Sequence, residues 1–449
     1  MWPHKIISSL KANYWLKSGT INLLQNVLTV VTSFSSFYLL IRVLDKTEFG
    51  VWILFISTTS IMEFARTGLI SKSLITYLSS SPGNVHNTII TASFVINISL
   101  TVVLSIFCHL IAPHLSHLWH SVELIPLFSL YIWVFLISCF LVQYQAIEQA
   151  RLQFKGVFLS NLVRQLVLLF FVLWVYFTDR HPSLISLVEV MIWGTLLATL
   201  VSYYFVRRTF RLSVRFDRYW LGQLMHYGKY SFGTSVTAMI SSSIDQMIIG
   251  GLVSATSAGI YNIAVRVTNM INIPTNAVAT IVFPQSARRL EHGGNIAIKT
   301  LYEKSVGAVL AMLLPTIVTA LIFAGPVIHF IGDDRYPESV PLLEITLLSA
   351  LFIPFTKQFG TILESIGLVK QNFYITVFSI TVNGLINYIF IRQWGIVGAA
   401  AAMLTSYFIL FIFTQLMLKR MLGVSIISTL VYAAKSYGEV YNKLRNRGA

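Results

Sequence analysis

The chain has 449 residues, 55% of them hydrophobic and only 11% charged, with 32 Lys and Arg against 17 Asp and Glu. Soluble domains carry about 25% charged residues, so there is too little charge here to solvate an ordinary surface, which excludes a soluble enzyme, a disordered chain and a nucleic-acid-binding protein. In a chain this apolar, the excess of cations reads first as the charge asymmetry of a membrane protein.

A helix needs about 20 apolar residues to cross the hydrocarbon layer. Twelve runs meet that length, at 19–41, 50–78, 88–111, 123–147, 157–178, 184–206, 231–253, 258–284, 305–330, 340–366, 373–391 and 396–418. No connection between them is long enough for a soluble domain. Residues Met1 to Lys5 run into the first apolar stretch without a small-residue cleavage site, so no removable signal peptide is expected. The apolar stretch Met421 to Ala434 is too short to span and is followed by Lys435, Lys443, Arg445 and Arg447, which predicts an interfacial helix with a basic tail.

Orientation follows from the cations. With a cytoplasmic N-terminus, 23 of the 32 fall on the inner side, among them Lys5, Lys11, Lys17, Arg207, Arg211, Arg215 and Arg420. Five fall outside, namely Arg42, Lys46, Arg180, Arg335 and Arg392, and four lie within spans. The skew supports an even number of crossings with both termini cytoplasmic.

A shift of 209 positions lays the seventh run on the first, pairing Gly19 with Gly228 and the turn Glu48 to Trp52 with Ser257 to Tyr261. Six runs separate the copies, so the halves share an orientation. The expected fold is therefore an all-α polytopic membrane protein, with about twelve transmembrane helices in two parallel-repeat six-helix bundles around a central cleft. The divisions are 1–224 for the first bundle, 225–420 for the second, and 421–449 for the cytoplasmic interfacial helix and tail.

Charge inside such spans is costly, about 2.5–3.5 kcal/mol per Arg, Lys or Asp at mid-bilayer, and marks candidate functional residues. Glu63 and Arg66 are spaced i, i+3 in the second run: either a self-neutralising pair, or an Arg66 that faces the cleft with Glu63 setting its geometry. Arg164, in the fifth run, has no acidic neighbour within a helical turn and either snorkels to the cytoplasmic edge or lines the cleft. Asp245 is the only carboxylate of the seventh run and can meet Arg266 from the eighth, as a buried salt bridge or as a switch that takes up H⁺ or Na⁺ when Arg266 engages an anion. Lys357 and Glu364 share a face of the tenth run at i, i+7, while Glu189 and Glu344 stand alone. Three Arg and one Lys at membrane depth favour an anionic group such as phosphate or pyrophosphate.

Other signals carry less. His109, His114, His117 and His120 cluster near the outer end of the third run without Cys or carboxylates beside them, which argues against a Zn site. Cys108 and Cys139 lie in apolar runs and offer no disulfide framework. The run Arg207 to Arg218, with Phe210, Phe216 and Trp220, is better placed for lipid headgroups than for nucleic acid. There is no phosphate-cradling G-x-x-x-x-G-K-[ST] loop and no Ser/His/Asp constellation, so no catalytic residue, metal or bound cofactor is expected.

Three stretches resemble the polysaccharide-transport and O-antigen flippases of the multidrug/oligosaccharidyl-lipid/polysaccharide exporter superfamily: RVLDKTEFGVW (Arg42 to Trp52), DQMIIGGLVSATSAGIYNIAVRV (Asp245 to Val267), and VNGLINYIFIRQWGIVGAAAA (Val382 to Ala402), with its paired Asn383 and Asn387. The resemblance implies a bacterial inner-membrane flippase that moves an undecaprenyl-pyrophosphate-linked oligosaccharide by alternating access, ion-coupled in at least some members. Arg66, Arg164, Arg266 and Lys357 would then bind the substrate, and Asp245, Glu63 and Glu364 would respond as ion-coupling or switch residues. Membrane lipids, a polysaccharide polymerase and a chain-length regulator are the expected partners. A cation-coupled drug exporter of the same superfamily is the nearest alternative, and a membrane glycan polymerase or acyltransferase the next. The asparagines and glycines of the last two runs are assigned to close helix packing.

Overall fold

The computed structural model describes residues 28–208, 210, 213 and 217–445. Residues 19–27 of the first expected span, the cations Lys5, Lys11, Lys17, Arg211, Arg215 and Arg447, and Phe216 lie outside the described residues. Every regular element among the described residues is a helix. The chain divides into two compact units, Met1–Ser243 and Ile244–Ala449.

The first unit contains α1 (Leu28–Val43), α2 (Lys46–Ser80), α3 (His86–Leu118), α4 (Leu124–Ala150), α5 (Lys155–Phe177), α6 (Leu184–Val206) and the larger part of α7 (Arg218–Leu252). Helix α2 starts at Asp45, whose N–H donates to the Glu48 carboxylate at 3.1 Å, one arm of a capping box. Helix α4 is the hub: it packs against α2, α3 and α6, and α5 lies along α6. Phe55, Phe128, Tyr131 and Phe135 fill the α2–α4 seam, with Phe55–Tyr131 and Tyr131–Phe135 edge-to-face at 5.4 and 4.9 Å.

Polarity runs opposite to that of a soluble protein. Asn97 and Gln143 are fully buried, and the Asn97 amide donates to the Cys139 carbonyl at 2.9 Å. Apolar side chains instead cover the outside, as Val103, Ile106, Phe107 and Leu110 do on α3 and Trp193, Leu197 and Leu200 on α6. That distribution fits a solvent of lipid tails, in which a polar group finds partners only within the protein.

The second unit continues with the end of α7 and α8 (Ala255–Ile271), α9 (Ile273–Ile322), α10 (Ala324–Gly332), α11 (Ser339–Ser349), α12 (Ile353–Ser365), α13 (Val369–Leu422) and α14 (Ile426–Arg445). Tyr302, Val306, Phe359, Ile362 and Leu418 are the centre of its core. Helix α9 breaks at Gly294 and α13 at Gly395, whose φ 58, ψ −138 lies where only glycine is at ease. At Gly395 the chain doubles back. Phe378 and Phe413 meet at 5.5 Å across the two arms with their rings tilted by 38°, and a Cβ on Gly398 would collide with the Phe390 carbonyl. Helix α14 lies against α9, where Gly307 admits the α14 backbone and the buried Glu303 carboxylate accepts the Ser425 N–H at 2.9 Å.

Seven of the described helices are long and apolar enough to cross a membrane, eight if the α11–α12 pair, bent by 45°, counts as one span. This is a multi-pass membrane protein. The number falls short of twelve for identifiable reasons. Only Leu28–Val43 of the first run is described, the 258–284 run is interrupted at Asn272 between α8 and α9, and α13 carries two of the expected runs in one element. Helix α7 is rich in Gly, Ser and Thr with Lys229 and Asp245, and is not among the seven.

Candidate functional site

The embedded charges of the first unit meet at the α2–α4 seam. Arg66 projects from α2 and is fully buried. Its guanidinium donates to the Phe135 carbonyl at 2.8 Å and the Ser138 hydroxyl at 2.7 Å, and lies 5.4 Å from the centre of the Phe135 ring. An Arg in apolar surroundings needs acceptors for its donors; α4 supplies one to each terminal nitrogen, while Nε is buried without a hydrogen-bond partner. Neither sequence expectation for this residue describes that arrangement: Arg66 does not present its fork to an open face, and no ion pair joins it to Glu63 among the described residues. Glu63 accepts instead from Tyr131 Oη at 2.9 Å, so both charges of α2 are tied to α4.

Arg164, on α5, is half-buried and makes no hydrogen bond or ion pair among the described residues. It lies within electrostatic reach of Arg66 and Tyr131. Of the cations singled out at membrane depth in this unit, it is therefore the one whose donors are not committed to the fold. Glu189 is exposed on the outward stripe of α6 beside Trp193, and the histidines near the end of α3 show a His114 Nδ1 contact with the Leu110 carbonyl at 3.2 Å and a His117–His120 ring stack at 6.4 Å.

In the second unit the half-buried Asp245 of α7 is held by two donors, Tyr261 Oη from α8 at 3.1 Å and the Asn387 amide from α13 at 2.9 Å. Arg266 is not the partner of Asp245; it sits half-buried on α8, five residues beyond Tyr261. Asn387 is fully buried and also donates to the Asn383 carbonyl at 3.0 Å, so its assignment to helix packing alone gives way to a polar role. The side-chain oxygens of Asn383 and Asn387 are buried without a hydrogen-bond partner. This corner thus holds one carboxylate between two donors, with the two unpartnered amide oxygens belonging to residues one helical turn apart on α13.

The remaining candidates do not join either cluster. Lys357 and Glu364 are both exposed on α12 and form no ion pair among the described residues, Glu364 accepting from Asn372 at 2.8 Å. Glu344 is exposed on α11.

The sequence profile of the family described as "Polysaccharide biosynthesis protein" matches residues 39–341, more than half of the chain. The chain belongs to that family. Its relatives include the "Probable low-salt glycan biosynthesis flippase Agl15" of Haloferax volcanii, 26% identical over 184 residues that cover 41% of this chain and 39% of Agl15. The lipopolysaccharide biosynthesis protein WzxC of Escherichia coli is 18% identical over 340 residues, 76% of this chain and 67% of WzxC. The chain thus spans well under half the length of Agl15. Among solved structures, lipid II flippase MurJ in an inward closed conformation superposes with a TM-score of 0.76 at 13% identity, covering 93% of this chain and 92% of MurJ. An inward-facing multidrug resistance MATE transporter also reaches 0.76, at 12% identity over 88% of this chain and 95% of that one. At these identities the likeness shows the fold: a polysaccharide biosynthesis family member with the helical architecture common to MurJ and MATE transporters.

Several residues of these clusters were not singled out from the sequence. Tyr131, Ser138 and Tyr261 are ordinary span residues until the fold sets them against a charge. Glu148 is 2% exposed at the end of α4, and its carboxylate meets the N–H groups of Gly156 and Val157 at the start of α5, where a Cβ on Gly156 would strike it.

Proposed function

We propose that this chain is a transporter, not an enzyme, and that it flips an oligosaccharide linked to undecaprenyl pyrophosphate, an O-antigen or similar surface-polysaccharide repeat unit, across a bacterial inner membrane. The observation that carries the reading is Arg164. A guanidinium at membrane depth whose donors bind nothing in the fold is costly, and an anion arriving from outside the fold is the partner that offsets the cost. Phosphate and pyrophosphate suit its planar fork. Arg266, half-buried on α8, is the candidate of the second unit by its place in the sequence, Lys357 is a third on an exposed helix face, and Arg66 acts by holding α2 to α4. Asp245, held by Tyr261 and Asn387, is the site of H⁺ or Na⁺ coupling; Glu63 and Glu364 are secondary candidates for a charge response. The family match and the names of Agl15, WzxC and MurJ support lipid-linked glycan as the cargo class.

To the same proposal belong twelve crossings in two repeated bundles, division at 224/225 and 420/421, alternating access, cytoplasmic termini, and a polysaccharide polymerase and chain-length regulator as partners.

The test is a deletion strain carrying the variant genes. Loss of the protein should leave undecaprenyl-linked repeat units on the cytoplasmic leaflet, and Arg164→Ala should reproduce that while still reaching the membrane. Undiminished surface glycan in Arg164→Ala would remove the basis of the proposal. The MATE likeness favours a second reading, drug export, under which the variants would change drug resistance and leave surface glycan untouched.

A further inference from the structure

Outside both clusters, one group of metal-ligating side chains draws on two distant segments. His181 lies in the connection between α5 and α6, and its Nε2 is 3.5 Å from Glu48 Oε2 and 3.7 Å from Asp45 Oδ2 at the start of α2. All three ligand atoms lie within 4.8 Å of one another, and among the described residues this is the one such group of three. We propose that Asp45, Glu48 and His181 form a binding site for a divalent transition metal, best suited to Zn²⁺.

Three observations carry it. Ligands about 2.1 Å from a tetrahedral Zn²⁺ stand about 3.4 Å apart, so the two His181 separations already match edges of such a tetrahedron. The donor set, one imidazole nitrogen and two carboxylate oxygens, is a combination Zn²⁺ accepts, with the fourth position left to water. Neither carboxylate has a Lys or Arg in ion-pair range among the described residues, so the imidazole is the one basic group set against them. Their orientation is pre-set in part, because Glu48 also accepts the Asp45 N–H at 3.1 Å. The Asp45 side chain, 76% exposed, has the freedom to close the remaining edge. A bound ion would clamp the α5–α6 connection to the start of α2.

The experiment uses the full-length protein, tag removed, in lipid nanodiscs and titrated with ZnCl₂ alone by calorimetry, with Co²⁺ absorption as a second reading. The expected result is a saturable site that weakens by more than about tenfold in His181→Ala and in Glu48→Gln, since even outer-shell metal partners are worth that much. His114→Ala with His117→Ala should leave it unchanged. His181 is half-exposed and lies outside any helix, so its loss does not threaten the fold. Zn²⁺ binding that survives intact in His181→Ala, or no saturable binding by wild type at neutral pH, overturns the proposal. Neither result bears on Arg164 or glycan export.

Discussion

The Asn387 amide donates to the Asp245 carboxylate at 2.9 Å, joining two helices whose contact residues are 142 positions apart in the chain. The bond fixes one carboxylate oxygen while Tyr261 holds the other, so charge and hydrogen-bonding shape can be separated by substitution. Asp245→Asn keeps the shape and removes the charge. It is expected to fold, to lose its response to a Na⁺ or H⁺ gradient, and to export less than a tenth of the wild-type glycan; full gradient dependence in a vesicle transport assay would refute the coupling role.

Arg66 and Arg164 should separate stability from transport. Truncating Arg66 leaves the Phe135 carbonyl and the Ser138 hydroxyl without their charged donor, a loss of about 1.5–3 kcal/mol for each hydrogen bond to a charged group. Arg66→Ala should therefore lower the melting temperature in detergent by several degrees. Arg164→Ala, which breaks no such bond, should leave melting within about 0.5 kcal/mol of wild type while reducing export. Reversal of that pattern in thermal scans would exchange the two roles.

Among the described residues, Tyr131 is the one side-chain donor to Glu63. Removing its hydroxyl in Tyr131→Phe keeps the aromatic packing with Phe55 and Phe135 and leaves the carboxylate short of a partner, a cost of about 1–3 kcal/mol. The double variant Tyr131→Phe with Glu63→Leu should recover part of that loss. Additive losses in a double-mutant cycle would show that the two side chains act independently.

Gly395 sits at φ 58, ψ −138. A side chain there is strained whatever the space around it, so Gly395→Ala should cost about 1–3 kcal/mol and lower the yield of folded protein. Gly398→Val, which presses on the Phe390 carbonyl, should do the same. Wild-type thermal stability of both variants would mean that the reversal at this point does not depend on glycine.

Much of this was readable before any fold was in hand. Apolar runs mark the helices because lipid leaves only helix or closed barrel as a spanning form, and Gly395 fell in the gap between two of those runs. The crossings were less legible: α7 mixes Lys229, Asp245 and many small polar residues into one long helix, of which the sequence marks only 231–253 as an apolar run. Spacing along the sequence failed at the charges. An i, i+3 rule paired Glu63 with Arg66, but their partners, Tyr131, Phe135 and Ser138, lie 68 to 72 positions away. Asp245 was offered Arg266 on the basis of charge, and the fold supplied a phenol and an amide. No local pattern encodes such choices, because helix packing brings the partners together.

The doubling back of α13 also bears on biogenesis. Its two arms meet through Phe378 and Phe413, so the first arm has its partner surface only after the second has been synthesised. The two arms are therefore expected to leave the insertion machinery together, as one hairpin, once both have been made.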